Sequence, residues 1–229
     1  MKKITLEPIC LLAVLALGAA APASAQTLSS AAADSPSAIR PDSTYGLVGD
    51  TYSAVTLGFQ KQQGAPGLLH DYEFVYNKAL HKQGNWGIDG NLTYDYLTGS
   101  AFGVHDHRNL AEGGFTAYAL EPLGKPFVTA DAGGTWERWG NVSRKEFVYT
   151  LTAGVEVPLV RNLVLTPFAE YQAEPNHVGP PIGFSDHVWN YGVKATCRIT
   201  SQWSASVTGS LDQYNRNDFG YRLGVDYHF

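Results

Sequence analysis

The chain ends on Phe219 to Phe229, FGYRLGVDYHF. In steps of two, Phe219, Tyr221, Leu223, Val225, Tyr227 and Phe229 are large and apolar, while Gly220, Arg222, Gly224, Asp226 and His228 between them are small or polar. Successive side chains of a strand point to opposite faces, so this stretch is a strand with one face in oil and one in water. A soluble sandwich strand shows the same alternation over a few residues. A run of about a dozen ending on an aromatic has the length of a tilted membrane crossing.

At the other end, Lys2 and Lys3 precede the apolar run Ile9 to Leu17, and Ala23-Ser24-Ala25 supplies small residues for a signal peptidase. Residues 1–25 therefore read as a secretory signal cut after Ala25; the run is too short for an anchor. Cys10 sits behind Glu7-Pro8-Ile9, which lacks the small residues of a lipidation site. No other segment reaches the roughly 20 consecutive apolar residues of a membrane helix, so a mature chain that enters a membrane does so as a closed sheet, which excludes the inner membrane. Once Cys10 is removed Cys197 stands alone, and no intramolecular disulfide braces the fold. The chain carries 16 basic and 21 acidic residues; loss of Lys2, Lys3 and Glu7 leaves it mildly acidic, with no basic stripe for nucleic acid. Residues 26–50, rich in Ala, Ser and Pro, read as a flexible periplasmic segment, and 51–229 as a single domain.

From Tyr52 onward about ten alternating segments follow, with eight to twelve allowed by the pattern. Outward positions are Val55, Leu57 and Phe59 in the first; Tyr72, Phe74 and Tyr76 in the second; and Trp86, Ile88, Leu92, Tyr94 and Tyr96 in the third. Asn109 to Leu120 and Pro126 to Glu137 are ambiguous, because small and apolar residues fall on both faces. Phe147, Tyr149 and Leu151 point outward in the sixth; His187, Trp189, Tyr191, Val193 and Cys197 in the eighth; Trp203, Ala205 and Val207 in the ninth. Pro167, lacking a donor, predicts a bulge in the seventh. Short connections (His81 to Asn85, Glu121 to Lys125, Pro158 to Asn162, Thr200 to Gln202) alternate with longer ones (Lys61 to Leu69, Thr98 to Arg108, Arg138 to Lys145, Pro175 to Asp186). Aromatics gather at both sets of strand ends, as in two interfacial girdles.

The terminal strand resembles the closing strand of bacterial outer-membrane barrels, and the resemblance extends from about Tyr52 to Phe229, to the class of small barrels that includes the OmpA transmembrane domain. It implies an all-β, antiparallel up-and-down barrel in the bacterial outer membrane, in contact with outer-membrane lipid and lipopolysaccharide. It also implies that Tyr221, Leu223, Val225, Tyr227 and Phe229 are the signal read by the barrel-assembly machinery. The alternation itself puts Glu73, Asp95, Glu112 and Glu170 inside near the outer mouth, Asp131 inside near mid-depth, and Lys194, Arg198 and Arg222 inside on the neighbouring eighth and tenth strands. Two readings of that lumen follow. A narrow passive channel would favour cations at its acidic mouth, and this takes first place because the loops offer little material to constrict it. Alternatively the opposite charges pair and fill the interior of a non-conducting structural or surface-interaction barrel.

Catalytic constellations are thin, and neither a cofactor nor a metal is expected. His105-Asp106-His107 reads as a solvated loop rather than a metal site. His70-Asp71 and Asp186-His187 loosely resemble the Asp and His pairs of omptin proteases, but adjacent strand residues face opposite sides, whereas a working pair converges on one water. A hydrolase is the distant third reading.

Overall fold

The computed structural model describes residues 46–61, 68–101, 104–139, 141–160, 162–174, 187–212 and 219–229. The expected leader, and the N-terminal segment up to residue 45, lie outside these. Ten strands follow one another: β1 (Tyr52–Lys61), β2 (Leu68–Gln83), β3 (Trp86–Ala101), β4 (Val104–Ala119), β5 (Lys125–Trp139), β6 (Val142–Val160), β7 (Leu163–Ala173), β8 (His187–Arg198), β9 (Trp203–Asp212) and β10 (Phe219–His228). Each pairs antiparallel with the next, and β1 closes on β10 from Tyr52↔His228 to Lys61↔Phe219, so the sheet is a closed barrel without an edge. We call the end that holds Thr51 and Phe229 proximal, and the opposite end distal.

Alternation decides which face is which. Outward residues such as Leu92 and Phe115 are about as exposed as a strand allows, at 60% and 62%, whereas inward Val148 and Asp226 are fully enclosed. The outer face is thus an apolar band and the core is the lumen, the inverse of a soluble barrel of this size. Rings mark both rims of the band. Trp203, Tyr227 and Phe229 meet edge to face at the proximal end, with centroids 4.9 and 5.2 Å apart, and Tyr149, Tyr171 and Trp189 cluster at the distal end. On the ambiguous fourth strand Leu110, Glu112, Thr116 and Tyr118 are the buried, inward set and Phe115 faces out; on the fifth, Thr135 is inward and Val128 and Trp136 outward.

Two sequence expectations need correction. The distal connections between β3 and β4 and between β5 and β6 are not long loops. The ladder continues through Thr98↔His107 and Ser100↔His105 on one side and through Arg138↔Ser143 and Trp139↔Val142 on the other. Apolar alternation stops where the oil stops, but hydrogen bonding does not, so polar strand ends read as loops. Nor does Pro167 make a bulge. The β6–β7 register runs unchanged from Gly154↔Phe168 to Val157↔Leu165, with the rungs opposite Pro167 missing; the shift falls between Pro158 and Val160 instead. The strand simply forgoes the bond Pro cannot donate.

Candidate functional site

Two layers of charge occupy the lumen. The distal one is centred on Arg222. Its Nη2 is 2.7 Å from Asp71 Oδ2 and 3.9 Å from Asp95 Oδ2, and its Nη1 donates to Glu73 Oε2 at 3.0 Å. These four side chains come from β10, β2 and β3, with the inward Gly58 of β1 between them, opposite both Arg222 and Asp71. A Cβ at Gly58 would lie 2.8 Å from Asp71 Oδ2 and 3.1 Å from Arg222 Cγ, so the missing side chain is what lets the pair meet.

Of the carboxylates expected at the mouth, Glu73 and Asp95 therefore sit on Arg222, together with Asp71. Asp71 shares the inward parity of Glu73, but from sequence it is considered only beside His70, as a pair that cannot converge, and not among the lumen charges. His70 points the other way, its ring edge-on to Phe59 at 5.6 Å. Glu112 accepts from Thr150 Oγ1 at 2.9 Å, and Glu170 from Asn190 Nδ2 at 3.0 Å. Asp131 lies between Gly114 and Thr150 in the ladder. Arg108, which reads as a loop residue, is an inward distal cation paired with Glu174. The strands that carry Lys194, Arg198 and Arg222 are not the neighbours expected, because β9 separates β8 from β10. Lys194 faces inward between Thr166 and Thr208. Arg198 is remote from the mouth, its Nη2 donating to Ser201 O at 2.7 Å and lying 3.7 Å from Asp50.

The proximal layer is built around a short turn that precedes β1. Gly46 and Gly49 have φ of 80° and 83°, a backbone that other residues adopt at a cost. Leu47 N–H and Val48 N–H both donate to Glu156 Oε1 of β6, at 2.7 and 3.1 Å, and Gly49 N–H donates to Asp89 Oδ2 of β3 at 2.7 Å. Lys125 Nζ of β5 donates to Val48 O at 3.2 Å, and Asn77 Nδ2 of β2 to Asp50 O at 2.7 Å. In the barrel order β6 stands halfway round from β1, so residues 46–50 run across the lumen from one wall to the other. Flexibility up to residue 50 was expected; these last five residues are held.

Asp50 ends the crossing against β10. His228 Nδ1 is 2.9 Å from Asp50 Oδ2, and His228 Nε2 is 2.5 Å from Ser204 Oγ. Carboxylate, imidazole and hydroxyl in that order are the connectivity of a hydrolytic triad. Ser204, however, is 1% exposed, which leaves its Oγ no approach for a substrate carbonyl, and the chain of bonds acts as a tie between the turn, β10 and β9. Burial alone would raise the Asp50 carboxyl, but the hydrogen bond and charge of His228, with Arg198 and the Thr51 N–H, bring it below its ordinary value. The side chains of His105 and Asp106, and the whole of Asp186, lie outside the described residues, among which no group of three potential metal ligands converges.

Closed antiparallel topology, an apolar exterior with aromatic rims and a polar, charged lumen together define an outer-membrane β-barrel architecture. No protein-family model and no curated protein matches the sequence. Among solved structures, the chain is similar to the β-domain of the Bordetella autotransporter BrkA, with a TM-score of 0.50 at 11% identity over 79% of this chain and 100% of that one. The NanC porin (TM-score 0.41, 9% identity, 77% and 100% covered) and the outer-membrane enzyme PagL (0.38, 14%, 78% and 99%) are weaker matches. At such identities the likeness is one of fold.

Proposed function

We propose that this chain is a bacterial outer-membrane barrel, exported by the leader read in residues 1–25, that stands closed: a structural or surface-interaction barrel rather than an open channel. Its outer face would meet outer-membrane lipid and lipopolysaccharide, and the strand ending at Phe229 would be its assembly signal. The observation that carries this reading is Arg222, whose guanidinium is engaged by Asp71, Glu73 and Asp95. Carboxylates paired in this way fill the passage they would otherwise line. A cation-favouring channel is the second reading, because three carboxylates on one guanidinium leave the layer with surplus negative charge, which would select cations in any state that opened.

Planar-bilayer recording separates the two. The purified barrel is expected to insert without steady conductance steps. Stable openings whose reversal potential in a salt gradient reports cation preference, lost when Glu73, Asp95, Glu112 and Glu170 are changed to Gln or Asn, would replace the closed barrel by the channel.

A further inference from the structure

We infer that the proximal end of the lumen is a peptide-binding site whose resident ligand is the chain's own Gly46–Asp50 turn, and that this turn is a detachable bar across the lumen. The site is built into the wall. Asn77, Asp89, Lys125, Glu156 and His228 come from five strands, and none is more than 4% exposed. Ladder bonds hold their backbones whether or not a turn is present. Side chains placed this deep need polar partners, and the turn supplies them.

What the wall reads is main chain. Three turn N–H groups go to two carboxylates, and two turn carbonyls go to an ammonium and an amide. Only Leu47 adds a buried apolar side chain, at 6% exposure, and only Asp50 adds a charged one. Any ligand of this site must therefore offer successive N–H groups in a turn with positive φ, close to the wall. At Gly49 a Cβ would lie 2.8 Å from Tyr118 Oη. The chemical class is a glycine-containing turn followed by an aspartate.

The same pattern makes the bar removable. Within the turn the backbone bond is Asp50 N–H to Leu47 O at 3.2 Å, and none of residues 46–50 belongs to a strand. Withdrawal breaks no rung of the barrel, and it exchanges charge-assisted hydrogen bonds for lumen water rather than opening an apolar core. It is the kind of segment that opens at low free energy within a stable fold. The proximal bar is independent of the distal Arg222 layer, so one can be absent while the other stands.

The test uses the full chain with Cys197→Ser and Leu47→Cys, refolded in detergent micelles and treated with a water-soluble maleimide. The thiol at position 47 is expected to react slowly, and roughly tenfold or more faster after Glu156→Ala removes the acceptor of two N–H groups. Gel mobility of the folded barrel should not change. A second arm uses a fluorescent peptide with the sequence of residues 44–51, TYGLVGDT. It should bind saturably to the full chain carrying Gly49→Val, whose own turn no longer fits, and not to the wild-type chain, whose site is filled. A position-47 thiol that labels equally fast with and without Glu156 overturns the seating of the turn. Peptide binding to both barrels alike, or to neither, overturns the site. Neither result depends on whether the barrel conducts.

Discussion

Removing the guanidinium of Arg222 is the sharpest perturbation of the distal layer. Arg222→Ala leaves Asp71, Glu73 and Asp95 facing one another, with the cation that served all three gone. Breaking a fully buried ion pair costs about 3–5 kcal/mol, and an exposed one contributes about 1 kcal/mol at most. The Arg222 side chain is 39% accessible and that of Asp71 7%, which places this pair between the two limits. Lumen water takes up part of the loss, and about 2 kcal/mol is the expected destabilisation. Urea titration of the micelle-refolded barrel, followed by tryptophan fluorescence, reads this as a lower midpoint at unchanged slope. Asp71→Asn on top of Arg222→Ala should recover much of it, since Asp71 is the closest and most enclosed of the three carboxylates. An Arg222→Ala barrel that unfolds at the wild-type urea concentration, or a double variant no better than the single, would refute the paired layer.

Gly58→Val introduces bulk against Asp71 and Arg222 and should destabilise by about 1–3 kcal/mol despite the strand preference of valine, measured by the same titration. The carboxyl of Asp50 is held below its ordinary value in the folded state, so the stability it contributes is present above the unfolded pKa and lost as pH falls through the folded one. A urea midpoint measured down through the acid range should fall less steeply in Asp50→Asn than in the wild type; parallel slopes would remove Asp50 from the tie. Cys197 lies on the outward face of β8 close to Asn162, so in membranes it should resist water-soluble maleimide and react promptly once the barrel is unfolded. Rapid labelling of the folded form would contradict that orientation.

The orientation of most strands was legible because their alternation is carried by large residues on one face only, as in Tyr221, Leu223 and Val225 against Arg222, Gly224 and Asp226. On β4 and β5, Ala111 stands opposite Gly134 and Gly113 opposite Ala132 on one face, while Gly114 and Gly133 fall on the other, opposite Asp131 and Glu112, and size distinguishes neither face. The inward position of Arg222 was readable, but its partners were not. They depend on the stagger between β10, β1 and β2, which no local pattern encodes. The crossing turn was the least visible. Its glycines and Leu47 interrupt an Ala, Ser and Pro-rich run, a faint signal, and its recognition rests on main-chain groups that every sequence possesses.

The sheet has no edge, yet its ladder is not uniform. Between β6 and β7 the rungs opposite Pro167 are missing and the register shifts between Pro158 and Val160, whereas β3 and β4 pair without a break from Trp86↔Ala119 to Ala101↔Val104. Amide exchange should therefore begin along the β6–β7 line and reach the β3–β4 ladder last. A closed wall with one under-bonded line in it yields along that line first.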